Sequence, residues 1–169
     1  FPIYIPSRVT PELVRMLAEH KPLYVSLSFV HPREITPDVE RGLSLMADAG
    51  IVLLQQGPIL RGVNDDSDTL KRLYEKLAAL RVLPYYAIWG IRAPGAEHFL
   101  VGGERASEIV GALENRTSGF CVPHLITIAR GDKVRMMGWS PEKETEHLQN
   151  RERAASPVPS PALDETHRS

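Results

Sequence analysis

Apolar positions along the 169 residues follow two alternating rhythms. Four strand-length apolar runs, at 23–29, 51–56, 83–89 and 122–129, recur roughly every thirty to forty residues, the size of a βαβ unit. Between them, Val39, Leu43, Met46 and Ala47 fall on one helical face. Leu70, Leu73, Tyr74 and Leu77 do the same, and then Ala106, Ile109, Val110 and Leu113. The punctuation agrees with the periodicity. Thr10 before Pro11 and Thr36 before Pro37 read as N-cap and first-turn pairs, and Asp66 with Ser67 offers capping oxygens to the helix of Leu70. Gly50 stands where a helix ends directly before a strand, a place for a left-handed residue. Near-continuously apolar strands alternating with helices predict an α/β fold with a parallel, helix-covered sheet, either a barrel portion or a doubly wound layer. Residues 2–6 read as a short strand, with Leu13, Met16 and Leu17 as the apolar side of a following helix.

After Trp139 the pattern stops. Residues 140–169 are charged and polar, contain four prolines and include a Ser-Pro-Val-Pro-Ser-Pro run, which predicts a disordered tail behind a folded domain at 1–139. The first residue is Phe1 rather than Met, so the chain reads as a fragment of a longer protein. Hydrophobic residues at 43%, charged residues at 24% and a net charge of -1 match ordinary globular usage. That balance predicts neither a nucleic-acid partner nor a membrane surface. The apolar runs are strand-sized and no basic-then-apolar leader opens the chain, so a cytoplasmic protein is expected. Cys121, the single cysteine, can form no internal disulfide and cannot alone hold a cluster or a zinc ion.

In parallel βα sheets, ligands bind beyond the C-terminal ends of the strands. The residues there are Ser28, His31, Gln55, Gln56, Trp89 and 127–133. Gln55 and Gln56 either face a ligand or satisfy loop backbone groups. His31, before Pro32, is either a base or a turn-stabilising histidine. Asn64, Asp65 and Asp66 either chelate a hard cation or form a cap and turn, and the position before a helix favours the cap. No Ser/His/Asp order or metal-ligand spacing appears, and Arg61-Gly62-Val63-Asn64-Asp65-Asp66 does not match a phosphate-binding loop.

Six strings go further: His31-Pro32-Arg33-Glu34-Ile35-Thr36, Ala47-Asp48-Ala49-Gly50-Ile51, Leu60-Arg61-Gly62-Val63-Asn64-Asp65-Asp66, Pro84-Tyr85-Tyr86, Gly95-Ala96-Glu97-His98-Phe99 and Thr117-Ser118-Gly119-Phe120-Cys121-Val122-Pro123. In order and spacing they closely resemble successive motifs of the lysine 2,3-aminomutase family of radical S-adenosylmethionine (SAM) enzymes. The resemblance implies the C-terminal portion of an incomplete (βα) barrel. It also implies a 4Fe-4S cluster on a CxxxCxxC motif, SAM as the source of a 5′-deoxyadenosyl radical, and pyridoxal phosphate held on a lysine. The cluster motif is absent from this chain. Position by position, Gln56 falls on the family's SAM-contacting glutamine, and His31 falls in its HPxE motif, where it would brace the same cofactor pocket. Ser28 stands where the family has a second histidine at that pocket. Lys133 falls near the aldimine lysine, after a shortened run at 129–133; a solvated turn lysine is the other reading.

Two family aspartates that hold the substrate's side-chain ammonium align with Ile91 and Ile128. Burying an unpaired ammonium against isoleucine would cost several kcal/mol, so the expected substrate is not free lysine. The resemblance therefore implies a radical isomerase moving an amino group on a small, amino-acid-like molecule or a lysyl group on a protein. The alternatives are a non-catalytic binding or scaffold protein and a radical SAM enzyme without pyridoxal phosphate. A partial barrel leaves strand edges and apolar faces open, which predicts self-association as a homo-oligomer, and the fragment alone is expected to be inactive.

Overall fold

The structure is a computed structural model that describes residues 3–90, 93–129 and 132–135. The tail predicted at 140–169 lies outside the described residues, as does Ile91. Five strands form one sheet in chain order: β1 (Tyr24–Leu27), β2 (Val52–Pro58), β3 (Val82–Trp89), β4 (His124–Ala129) and β5 (Asp132–Arg135). The first four run parallel, as the apolar runs predict, and β5 pairs with β4 antiparallel. Helices α1 (Pro11–Ala18), α2 (Pro37–Asp48), α3 (Ser67–Ala79) and α4 (Gly103–Glu114) alternate with the strands. Among the described residues no helix is long and apolar enough to cross a membrane.

The local chemistry sets the helix starts. The hydroxyl of Thr10 accepts the Leu13 N–H at 3.2 Å, that of Thr36 accepts the Val39 N–H at 3.4 Å, and the Asp66 carboxylate accepts the Thr69 N–H at 2.8 Å. At the other end of α2, Gly50 takes φ +77°, a left-handed conformation that L side chains rarely adopt. The three predicted apolar faces point into one core, where they meet Leu27, Leu53, Val82, Ala87, Trp89 and Leu125 from the sheet. Strand β2 shows the alternation plainly: Leu53, Gln55 and Gly57 are buried, while Val52, Leu54, Gln56 and Pro58 are half-buried on the other face. Among the described residues, helices cover one face of the sheet only.

Three local readings change. Within the predicted strand at 2–6, the described residues 3–6 are not a strand: from Ile3 the chain turns and enters a 3-10 turn at Pro6–Arg8, closed by the Val9 N–H on the Pro6 carbonyl. Pro6 has no N–H to give a ladder, and its fixed φ suits the start of a turn. In α1 the buried residue is Val14, whereas Met16 is 52% exposed. This helix packs on α2 rather than on the sheet, so it needs a narrower apolar stripe. After β4 the chain returns as β5, and Lys133 sits in that strand, paired opposite Ile128, not in a solvated turn.

Candidate binding site on the open sheet face

On the face without helices, the strand register builds a row. Gln56 pairs with Tyr86, and Tyr86 with His124. Ser28 follows β1 directly, one residue past its last pair, Leu27–Gln55. A β-bulge shapes the row: Gln55 pairs with Pro84 but Gln56 with Tyr86, so Tyr85 is an extra residue on β3. Pro84 accounts for the bulge's place, because a proline inside a sheet cannot donate to the ladder and is tolerated at such an irregularity. The Tyr85 and Tyr86 rings then lie tilted at 47° with centroids 4.1 Å apart, and the His124 ring lies 6.1 and 6.4 Å from them. One step nearer the strand ends, Ile88 and Ile126 are paired and buried on this same face. Beyond them Ile128 is 40% exposed.

The two neighbouring glutamines separate. Gln56 lies on the open face, where a carboxamide can donate and accept at once. Gln55 is buried on the helix face, and its side chain is spent on backbone. Its Oε1 accepts the Phe29 N–H at 2.9 Å and its Nε2 donates to the Phe29 carbonyl at 2.6 Å. His31 caps the turn Pro32–Glu34. Its Nδ1 accepts the Arg33 N–H at 3.1 Å, which leaves the ring proton on Nε2 as a donor. The Glu34 carboxylate accepts the Val30 and His31 N–H groups at 2.6 and 2.9 Å.

Asn64, buried, joins the same loop: its Nδ2 donates to the Val30 and Pro58 carbonyls at 2.9 and 3.0 Å, and its Oδ1 accepts the Leu60 N–H at 2.6 Å. Asn64 therefore ties the end of β1 to the end of β2, and Asp66 caps α3. Burial works against the Asp66 charge, but the Thr69 N–H and hydroxyl, the Asp68 N–H and the Arg72 charge together outweigh it and hold the carboxyl below the usual range.

Of the predicted site residues, the structure brings Ser28, His31 and Gln56 to one end of the β1–β2 pair. Trp89 is not part of the open face; it is buried in the core and its Nε1 donates to the Val101 carbonyl at 2.6 Å, pinning the loop before α4. Lys133 reaches the rim by backbone register, and its side chain lies outside the described residues. Tyr86 and His124 escaped the sequence reading, because only the register across a bulge puts them in line with Gln56. The adjacent Tyr85-Tyr86 pair inside an apolar strand was the available signal. Among the described residues no three His, Cys, Asp or Glu side chains group as a metal site, and Cys121 is buried.

No family model matches the chain. Across 130 residues it is 42% identical to the L-lysine 2,3-aminomutase of Clostridium subterminale, covering 77% of this chain and 31% of that protein. Over the matched residues, the chain resembles part of the lysine 2,3-aminomutases. An aminomutase of the same name from Haemophilus influenzae is 36% identical over 132 residues, 78% of this chain and 39% of that protein. The glutamate 2,3-aminomutase of Clostridioides difficile is 33% identical over 127 residues, 75% of this chain and 30% of that protein. The chain thus spans well under half the length of these aminomutases. A solved radical SAM methyltransferase from Sphaerobacter thermophilus shares the fold, with a TM-score of 0.55 at 17% identity over 72% of this chain and 39% of that one.

Proposed function

We propose that within the intact protein this segment is the part of a radical SAM barrel that holds the nucleoside of SAM, in an aminomutase-like isomerase. The observation that carries the reading is the place of Gln56, on the open sheet face in one register row with Tyr86 and His124, at the level where β1 ends and Ser28 follows. These residues suit a nucleoside: a carboxamide and a hydroxyl can pair with ribose hydroxyls, and an aromatic ring offers an apolar face to a base. When bound, SAM supplies a 5′-deoxyadenosyl radical on one-electron reduction. The chain's own residues bind and orient the nucleoside and keep water off the row. The described residues do not fit a 4Fe-4S cluster, since they contain one cysteine and it is buried.

The reaction we assign is a 1,2-amino-group migration, or a related radical rearrangement, on an amino-acid-like molecule other than free lysine. Ile128 supports this choice: it is part-exposed on the open face near the β4 end and can offer a cation neither charge nor hydrogen bond. Relatives named for lysine and for glutamate differ in the charge of their amino acid, so the resemblance alone does not choose the side chain. Lys133, opposite Ile128 on β5, is the lysine we assign to pyridoxal phosphate, which would serve as an electron sink there.

The test uses the intact protein, reconstituted anaerobically with iron and sulfide. It is expected to cleave SAM to 5′-deoxyadenosine on reduction. Gln56→Ala should weaken SAM binding about tenfold, the loss of one or two hydrogen bonds. Unchanged affinity in that variant, or no cleavage by cluster-loaded protein, would overturn the reading.

A further inference from the structure

Every backbone polar group from Phe29 to His31 is hydrogen-bonded, and most of the bonds come from side chains. Gln55 holds both the N–H and the carbonyl of Phe29, Glu34 accepts the N–H of Val30 and of His31, and Asn64 donates to the Val30 carbonyl. The His31 carbonyl accepts the Glu34 N–H at 3.1 Å. The β1–β2 ladder itself stops at the Leu27–Gln55 pair. A Cβ on Gly57 would stand 2.5 Å from the Phe29 oxygen and 2.9 Å from Gln55 Nε2. Side chains on β2 at Gln55 and Gly57 point to the helix layer, so the end of β1 crosses on that side of β2 and fills the space a side chain at Gly57 would take. Strand β1 therefore steps out of the sheet plane, away from the open face, at the level of Gln56.

We infer that Gln55 is a positioning residue for the nucleoside site. Its buried carboxamide stands in for a missing ladder rung and holds the chain after β1 off the open face, which sets the space beside Gln56. The inference rests on the nucleoside reading of Gln56 and adds to it a residue that never touches the ligand. A loop fixed by side chains before the ligand arrives has little ordering entropy left to lose on binding.

The experiment is a double-mutant cycle in the intact protein, with calorimetric binding of S-adenosylhomocysteine, a probe that no radical chemistry consumes. Gln55→Met keeps the length and removes both bonds. It should weaken binding about tenfold while circular dichroism stays native, since small displacements of a site carry large losses. The Gln56→Ala change should then cost less in the Gln55→Met background than alone, because the two residues serve one site. If Gln55→Met binds as wild type while Gln56→Ala is weakened, the positioning role falls and the nucleoside site stands. If neither changes binding, the nucleoside reading itself falls. Should Gln55→Met fail to fold, hydrogen exchange in the wild-type protein decides. The amides of Phe29, Val30 and His31 should exchange slowly before the probe is added and no more slowly afterwards, whereas protection acquired only with the probe would overturn the inference.

Discussion

Gln55 and Gln56 are the same side chain on adjacent positions of β2, and the pleat sends them to opposite faces with opposite duties. One is spent on the backbone of Phe29; the other stays available to a ligand. Gly57 makes the first arrangement feasible, and it is the residue most exposed to test. Gly57→Ala places a methyl carbon 2.5 Å from the Phe29 oxygen, a backbone atom that cannot swing aside. Overpacking of that kind should lower stability by about 1–3 kcal/mol in urea unfolding, and a loss below about 0.5 kcal/mol would mean that the end of β1 shifts freely. At this scale the sequence was half legible. It marked both glutamines as strand-end polar residues, with backbone satisfaction and ligand contact both open. Choosing between them required knowing that β1 crosses on the helix side of β2, a tertiary fact with no local pattern. His31 is similar: its cap on the turn Pro32–Glu34 is local chemistry, while its place past the end of the β1–β2 pair depends on how the strands pair.

The elements were the most legible layer, because periodicity and caps are written in short stretches. Thr10, Thr36 and Asp66 each accept the N–H three residues on, and all three buried helix faces follow the predicted apolar positions. Asp66 gives this a pH signature. Its carboxyl in the folded protein lies below the ordinary aspartate value, so its contribution is fully present above pH about 4 and is lost as pH falls through the lower, folded value. Asp66→Ala should cost about 1 kcal/mol at neutral pH, and the gap from wild type in thermal or urea unfolding should close on acidification. A gap that stayed constant down to pH about 2 would show that the charge is not what the cap uses. What the element patterns missed were the exceptions: the 3-10 turn at Pro6–Arg8, the bulge after Pro84, and β5. Each is short, and each depends on a partner strand or on a proline's missing donor rather than on a repeating face.

As a whole, the described molecule is a sheet with one dressed side. Tyr24, Leu83, Tyr85 and Ile128 are all 40% exposed or more on the other side, beside an unpaired β1 edge. The 169-residue chain in isolation should therefore associate with itself as concentration rises, seen by sedimentation velocity, and Leu83→Lys should reduce that association. A monodisperse monomer at high concentration would count against this. The fold class and the family resemblance were both readable at this scale, from the βα rhythm and from six ordered strings. The strand order, β1 to β5 in the order of the chain, carries one more consequence. During synthesis each new strand emerges to find its neighbour already made, so no partner has to be awaited and no crossing has to be undone. A ribosome pausing between units would leave a narrower sheet, not a tangled one.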